Sequence, residues 1–411
     1  MKHKGLIRVS VLLTALCVFL CSCSYLFDTP VLPIYELETS DTTRSQGIGA
    51  SQPADIDTTD TAQESVLTTD ETTAIEITTE SESVESNTTD TEETTDTEPD
   101  IDDIPFVKGD YASLDGYNAL LSFEDGEDMQ VFYKRLKAAA DEIHASEDID
   151  AYSLEISDTA SVDNIIGSVP YPPSLNNEEL FLVFNLFRAD NPLYYWINNK
   201  IIFSSKDLYM MTVDDYADGS VRKAYNELIE AKIDEYLDAV ENETSAYKKA
   251  LYFHDNIIKN MNYAVGNNGV ILEGLKYHNI FGAFIGGSGV CESYAKAFQL
   301  LLNASGIENC YVIGVSGTQM ASGIGHVWNM IKLEDGKWYY CDLTWDDLGD
   351  EDGGVQYNNF CAGSETNINE GYVGGVITFA SEHIENLPTG TGESFLYAIP
   401  VASETKYIPE E

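Results

Sequence analysis

The sequence predicts an α+β fold in which one helix packs on an antiparallel sheet, preceded by a mixed helical accessory region. Three observations predict it. The run VCESYAKAFQLLLNASGI opens near Val290 after a glycine-rich approach and keeps a helical pattern to about Ser305. Three strand-like stretches follow: Cys310 to Ser316, His326 to Leu333 and Lys337 to Trp345. Earlier, residues 126–145 and Asp218 to Glu241 read as helices, the second with Val221, Tyr225, Leu228, Lys232, Tyr236 and Val240 at three- to four-residue steps.

From the first residue, Met1 to Ser24 follow the plan of a secretory signal: basic Lys2, Lys4 and Arg8, an apolar run from Val9 to Leu20, then small residues and cysteines. The apolar run is short for a stable membrane span. Leu20-Cys21-Ser22-Cys23 resembles the lipobox of bacterial lipoproteins, which makes Cys23 the expected first mature residue and the lipidation site, with Cys21 as second choice. That places the chain at the outer face of a bacterial membrane.

From Glu36 to Asp103 the chain is Thr, Ser, Asp and Glu with hardly an aromatic residue, a composition unable to bury a core. About twenty acidic side chains face a single Arg44, so like charges stretch the segment beyond the ~50 Å of a neutral flexible chain. It is expected to be a disordered tether over residues 24–104, behind the signal at 1–23. Order is expected from Pro105, as an accessory region (105–243) and then a catalytic domain (244–411). In the accessory region SLEIS and WINNKIIFSS look like strands, and Tyr194-Tyr195-Trp196 reads as core. Between Ser245 and Tyr263 a further helix puts Tyr247, Leu251, His254, Ile258 and Met261 on one apolar face, so His254 is expected to be a core histidine.

The formal net charge of −48 argues against a basic surface for nucleic acid or anionic lipid. Of seven cysteines, four lie beyond the signal, Cys291, Cys310, Cys341 and Cys361, and no CxxC pair occurs. Neither a disulfide framework nor a structural zinc site fits that spacing. One reactive thiol among inert buried ones fits better.

Cys291 stands at the predicted start of its helix, where the positive end of the dipole favours thiolate. Gly286, Gly287 and Gly289 before it are expected to leave room for a substrate backbone, and the Cys291 amide could donate to an oxyanion. The strands HVWNMIKL and KWYYCDLTW are joined by Glu334-Asp335-Gly336, which suits a three-residue hairpin loop with Gly336 in the left-handed region. Leu333 then pairs with Lys337 and Trp328 with Asp342, so Asp342 becomes the same-face diagonal neighbour of His326. A two-residue turn would reverse that parity.

GVCESYAKAFQLLLNASGI, GHVWNMIKL and KWYYCDLTWDD together resemble the transglutaminase-like superfamily of papain-type thiol enzymes, over about residues 245–365. The resemblance implies a papain/transglutaminase-like core with Cys291 as nucleophile, His326 as base and Asp342 as the carboxylate fixing the imidazole tautomer. It implies a thioester acyl-enzyme on peptide or protein amides, resolved by water in a peptidase or amidase or by a lysine amine in a transglutaminase. Tyr263, His278 and Asn279 are candidates for a second oxyanion donor, and Asp346 and Asp347 read as loop or capping carboxylates. Trp328 and Trp345 could wall a cleft or pack. A non-catalytic binding or scaffold module is the alternative from another class, and zinc held by Cys291, His326 and Asp342 lacks a local ligand pair. The expected partners are a peptide or protein substrate and, through the lipid anchor only, the membrane. No nucleic acid, cofactor or metal is expected, and the chain is expected to be a monomer.

Overall fold

The computed structural model describes residues 76–77, 106–157, 160–266, 270–314, 326–349, 354–365 and 400–409. The signal, Cys23 and nearly all of the tether lie outside them. Within the tether span, β1 (Glu76–Ile77) runs parallel to Phe203–Ser204.

In the accessory region α1 (Asp115–Ala119) leads into α2 (Gly126–Ala145), which matches the helix read from the sequence. Then come β2 (Tyr152–Ser157), β3 (Ala160–Pro170), α3 (Asn177–Asp190), β4 (Ile201–Ser204) and β5 (Asp207–Met211). The sequence analysis did not identify β3, α3 or β5. A capping box starts α3: the Asn176 side chain accepts from the Glu179 amide while the Glu179 carboxylate accepts from the Asn176 amide. The five strands order as β1-β4-β5-β3-β2. Tyr194, Tyr195 and Trp196 are buried, as a core cluster should be.

Asp218 caps α4 (Gly219–Ala239) by accepting from the Val221 amide. Its buried face differs from the expected one. Val221 and Leu228 are exposed, while Arg222, Asn226, Ile229, Ile233 and Tyr236 point inward. Most of the inward polar groups are hydrogen-bonded: Arg222 Nη1 donates to the carbonyls of Tyr216 and Ala217, Arg222 Nη2 to that of Ile149, and Asn226 Nδ2 to the His144 carbonyl at 2.8 Å. An apolar-step reading cannot see a helix that buries hydrogen-bonded polar residues.

Ser245 caps α5 (Ala246–Asn260). Its exit, β6 (Asn262–Tyr263), pairs in parallel with β7 (Ser288–Gly289), the step directly before α6 (Cys291–Ala304). Every residue of α6 from Cys291 to Leu302 is buried, which marks it as the central helix. Behind it lies an antiparallel sheet of β8 (Asn309–Gly314), β9 (His326–Lys332), β10 (Trp338–Cys341) and β11 (Phe360–Ala362), in the order β11-β10-β9-β8. A short helix, α7 (Leu343–Asp346), occupies what was read as the end of the third strand.

One continuous core runs from Leu120 in the accessory region through α4, α5 and α6 to Cys361. The C-terminal residues also belong to it. Ala402 bridges Trp338, and the Tyr407 ring packs 5.2 Å from Tyr247 and 5.3 Å from Tyr339. At the hairpin tip the Glu334 carboxylate accepts from Ser245 Oγ, the Tyr247 amide and Tyr407 Oη. Among the described residues no helix is long and apolar enough to cross a membrane.

Candidate thiol site

Cys291 is the first residue of α6 and is fully buried. Cys291 belongs to a buried cluster with Ala295, Tyr311 and Val327, the last of which follows His326 on its strand. Cys310, Cys341 and Cys361 are free buried thiols. Burial holds the Cys310 and Cys361 thiols well above the ordinary range, so they are poor nucleophiles.

The glycines before Cys291 serve packing more than substrate access. A side chain at Gly289 would meet Ser293 Cβ at 2.3 Å and Met261 Sδ at 3.2 Å. Gly282 likewise gives way to Ser293 Oγ, at 2.5 Å from where a Cβ would sit. These two positions let the approach segment press against the first turn of α6 and fix where Cys291 begins. Gly287, at φ +64°, makes the left-handed turn into β7.

The hairpin register is the expected one. Trp338 pairs with Lys332 and Cys341 with Asn329, and Gly336 sits at φ +74° with its amide donating to the Leu333 carbonyl at 2.9 Å. His326, the first residue of β9, therefore comes diagonally beside Asp342. Its Nε2 lies 2.7 Å from Asp342 Oδ2, with the two side chains 4% and 0% exposed. Asp342 has left the strand, however. Its Oδ1 accepts the Trp345 amide at 3.3 Å, so the residue acts as the N-cap of α7 while its other oxygen holds the imidazole. That cap explains why the chain turns helical at Leu343.

The His326 ring stacks on Trp328 (5.7 Å, 25°) and lies 5.8 Å from Trp345. Trp328 is buried with Cys310, Val312, Met330 and Tyr340, so it is core that also fixes the ring plane. Of the three upstream oxyanion candidates, Asn279 has both amide hydrogens engaged, with the carbonyls of Tyr195 and Leu275. His278 Nδ1 meets Glu292 Oε2 at 3.3 Å. Tyr263 lies on the strand that pairs with Gly289.

A second histidine–carboxylate pair adjoins the first, and the sequence reading missed it. His254 Nε2 lies 3.2 Å from Asp346 Oδ2, and its Nδ1 lies 3.1 Å from Asp255 Oδ1. Asp346 Oδ1 also accepts the Asn359 amide and side chain, each at 2.9 Å. Burial pushes the His254 imidazolium down, but the two carboxylates more than offset this and its pKa is raised. The available signal was the four-residue step from Asp342 to Asp346, which places both carboxylates at the two ends of one helical turn. Asp347, the other residue read as a capping carboxylate, accepts from Tyr294 Oη at 2.5 Å. Among the described residues no group of three His, Cys, Asp or Glu side chains could hold a metal ion.

Residues 234–343 match the model of the transglutaminase-like superfamily. No curated protein matches the chain. Among solved structures it is similar to a candidate cysteine protease from Cytophaga hutchinsonii (20% identity over 31% of this chain and 40% of that one, TM-score 0.22). A candidate protease from Parabacteroides distasonis is 14% identical over 46% of this chain and 35% of that one (TM-score 0.22). The periplasmic domain of TgpA from Pseudomonas aeruginosa is 18% identical over 34% and 55% (TM-score 0.22). The chain thus spans about half or less of the length of each. The segment 234–343 that matches the transglutaminase-like superfamily model holds Cys291, His326 and Asp342.

Proposed function

We propose that this chain is a thiol enzyme that cleaves peptide or protein amide bonds through Cys291, His326 and Asp342, held at the outer face of a bacterial membrane by lipid on Cys23. The observation that carries the catalytic part is the buried 2.7 Å contact between His326 Nε2 and Asp342 Oδ2, built by the hairpin beside the helix that starts with Cys291.

In this reading Asp342 accepts a hydrogen bond from Nε2–H, which leaves Nδ1 as the ring atom that exchanges a proton with the thiol. The thiolate attacks the amide carbonyl carbon and forms a C–S bond while the carbonyl becomes an oxyanion. The Cys291 amide, at the first position of α6, is a donor for that oxyanion. When the C–N bond breaks, the imidazolium gives its proton to the departing nitrogen and a thioester remains. Water, deprotonated by the same imidazole, then attacks the thioester and releases a carboxylic acid and the thiol.

The test is incubation of the reduced chain with a library of glutamine-containing peptides, with and without a primary amine donor, followed by mass spectrometry against a Cys291→Ala control. Shortened peptides mark peptidase action, a gain of one mass unit marks deamidation, and an amine adduct marks acyl transfer. If the reduced parent and the control give the same spectra, the chain is a binding module and the proposal fails.

A further inference from the structure

At the end of α3 furthest from its capping box, the chain comes up against the nucleophile's helix. Ala189 packs against the cluster of Cys291, Ala295, Tyr311 and Val327, and its carbonyl accepts from Gln299 Nε2 of α6 at 3.1 Å. Beside this contact is a recess lined by Arg188, Asn191, Tyr194, Tyr195, Asn279 and Lys296, among others. The recess is partly open to solvent.

The polar lining is mostly engaged elsewhere. Asn191 Nδ2 donates to Tyr133 Oη and the Phe187 carbonyl, and Asn279 Nδ2 to two carbonyls. Tyr194 Oη donates to Asp141, and Tyr195 Oη to Asn226 and the Arg222 carbonyl. Two cations remain. Lys296 Nζ is paired with Glu292 Oε1 at 2.6 Å, both side chains being buried. Arg188 has its guanidinium 5.9 Å from the Phe184 ring, with no hydrogen bond or ion pair among the described residues.

The local charge therefore does not close. Glu292 carries one negative charge against Lys296 and Arg188, and it is held ionised: burial pushes its carboxyl up, but Lys296, His278 and Arg188 pull it well below the ordinary range. Burial lowers the pKa of both cations. Arg188 is half-buried and shares its one nearby counter-charge, Glu292, with Lys296, so a further anion is favourable beside it. A planar carboxylate is the group that its fork of N–H donors fits best.

We propose that this recess is a carboxylate-binding subsite, in which Arg188, supported by Lys296, holds an acidic group of the substrate beside the helix that begins with Cys291. The inference rests on the thiol-enzyme reading for the word substrate, but its test does not depend on turnover. The carboxylate can come from a peptide's own C-terminus or from an acidic side chain.

Binding is measured calorimetrically with the full chain bearing Cys291→Ala, so that nothing reacts. The probes are acetyl-Ala-Ala with a free C-terminus, acetyl-Glu-Ala amide and the neutral acetyl-Gln-Ala amide. One acidic probe should bind at least ten-fold more tightly than the neutral one, the advantage should shrink between 0.05 and 0.5 M salt, and Arg188→Gln should erase it (~ estimates from charge-assisted pairing and screening). Which acidic probe wins identifies the source of the carboxylate. Arg188→Lys, which keeps the charge and the buried stem, should keep part of the preference. If acidic and neutral probes bind alike, or if Arg188→Gln leaves the preference intact, the subsite is overturned whatever the peptide library reports. If Arg188→Gln does not fold, the parent's salt dependence together with Arg188→Lys decides, and a preference insensitive to both overturns it.

Discussion

The two buried histidine–carboxylate pairs lie at opposite ends of one helical turn, yet they are wired differently. His254 has a carboxylate on each ring nitrogen, Asp255 on Nδ1 and Asp346 on Nε2, and its pKa is raised. His326 meets Asp342 through Nε2, stands at the first position of an edge-to-core strand and neighbours the residue that packs on Cys291. A histidine with a carboxylate on each ring nitrogen has both nitrogens committed to structural contacts. In the reading proposed above, His326 has its tautomer fixed by Asp342 and serves as the base. A short distance between imidazole and carboxylate is therefore common to both, and by itself it does not mark a base.

The largest effects should separate the pairs by the kind of property lost. His326→Gln and Asp342→Asn are each expected to lower amide turnover by about 10³-fold or more while the chain stays folded, measured as kcat on any peptide the library identifies. His254→Gln should leave kcat within about ten-fold of the parent but lower unfolding free energy by about 3 kcal/mol, because it strands two carboxylates, one of them fully buried; urea unfolding measures it. Equal loss of turnover in folded His254 and His326 variants would break the distinction.

Next comes Gly289→Ala. The added Cβ would overlap Ser293 Cβ and push the approach segment away from α6, at about 2 kcal/mol of stability and with a loss of activity. A variant with parental stability would mean that the segment yields and that Gly289 does not set the helix start.

A smaller effect is pH dependence. Because the folded pKa of His254 is raised above its ordinary 6.5, its contribution is fully present below that value and is lost as pH rises through the folded pKa. The stability difference between parent and His254→Gln should therefore narrow at alkaline pH, as urea midpoints across the range would reveal. A difference that is flat with pH would mean that His254 is neutral and acts by hydrogen bonding alone. Smallest of all, Gly336→Ala should lower stability by about 1 kcal/mol through its left-handed φ, and should leave the register and therefore His326–Asp342 in place.

The sequence made the hairpin legible because register there depends on few residues: loop length, one glycine and strict alternation decide which side chains meet. The helix bearing Cys291 was legible for a similar local reason. The end of β10 was not, since Thr344 and Trp345 suit a strand and the decision rests on Asp342 capping its own downstream amide. The Gly289 contact was hidden because Met261 and Ser293 reach it across the fold. The accessory region was read least well. Its helix α4 buries Arg222 and Asn226 against carbonyls of distant segments, an arrangement that no periodicity in apolar residues encodes.

The strap formed by residues 400–409 bears on where the chain can be cut without losing its fold. The segment that matches the superfamily begins inside α4 and stops at Leu343. Excised at those points, it would keep Cys291, His326 and Asp342 but lose the Trp345 amide that Asp342 caps, strand β11 and the Tyr407 ring between Tyr247 and Tyr339. It would also expose the underside of α6 that the accessory core covers. The matched stretch is thus shorter than the packed unit it belongs to, and a fragment meant to fold has to include both flanks.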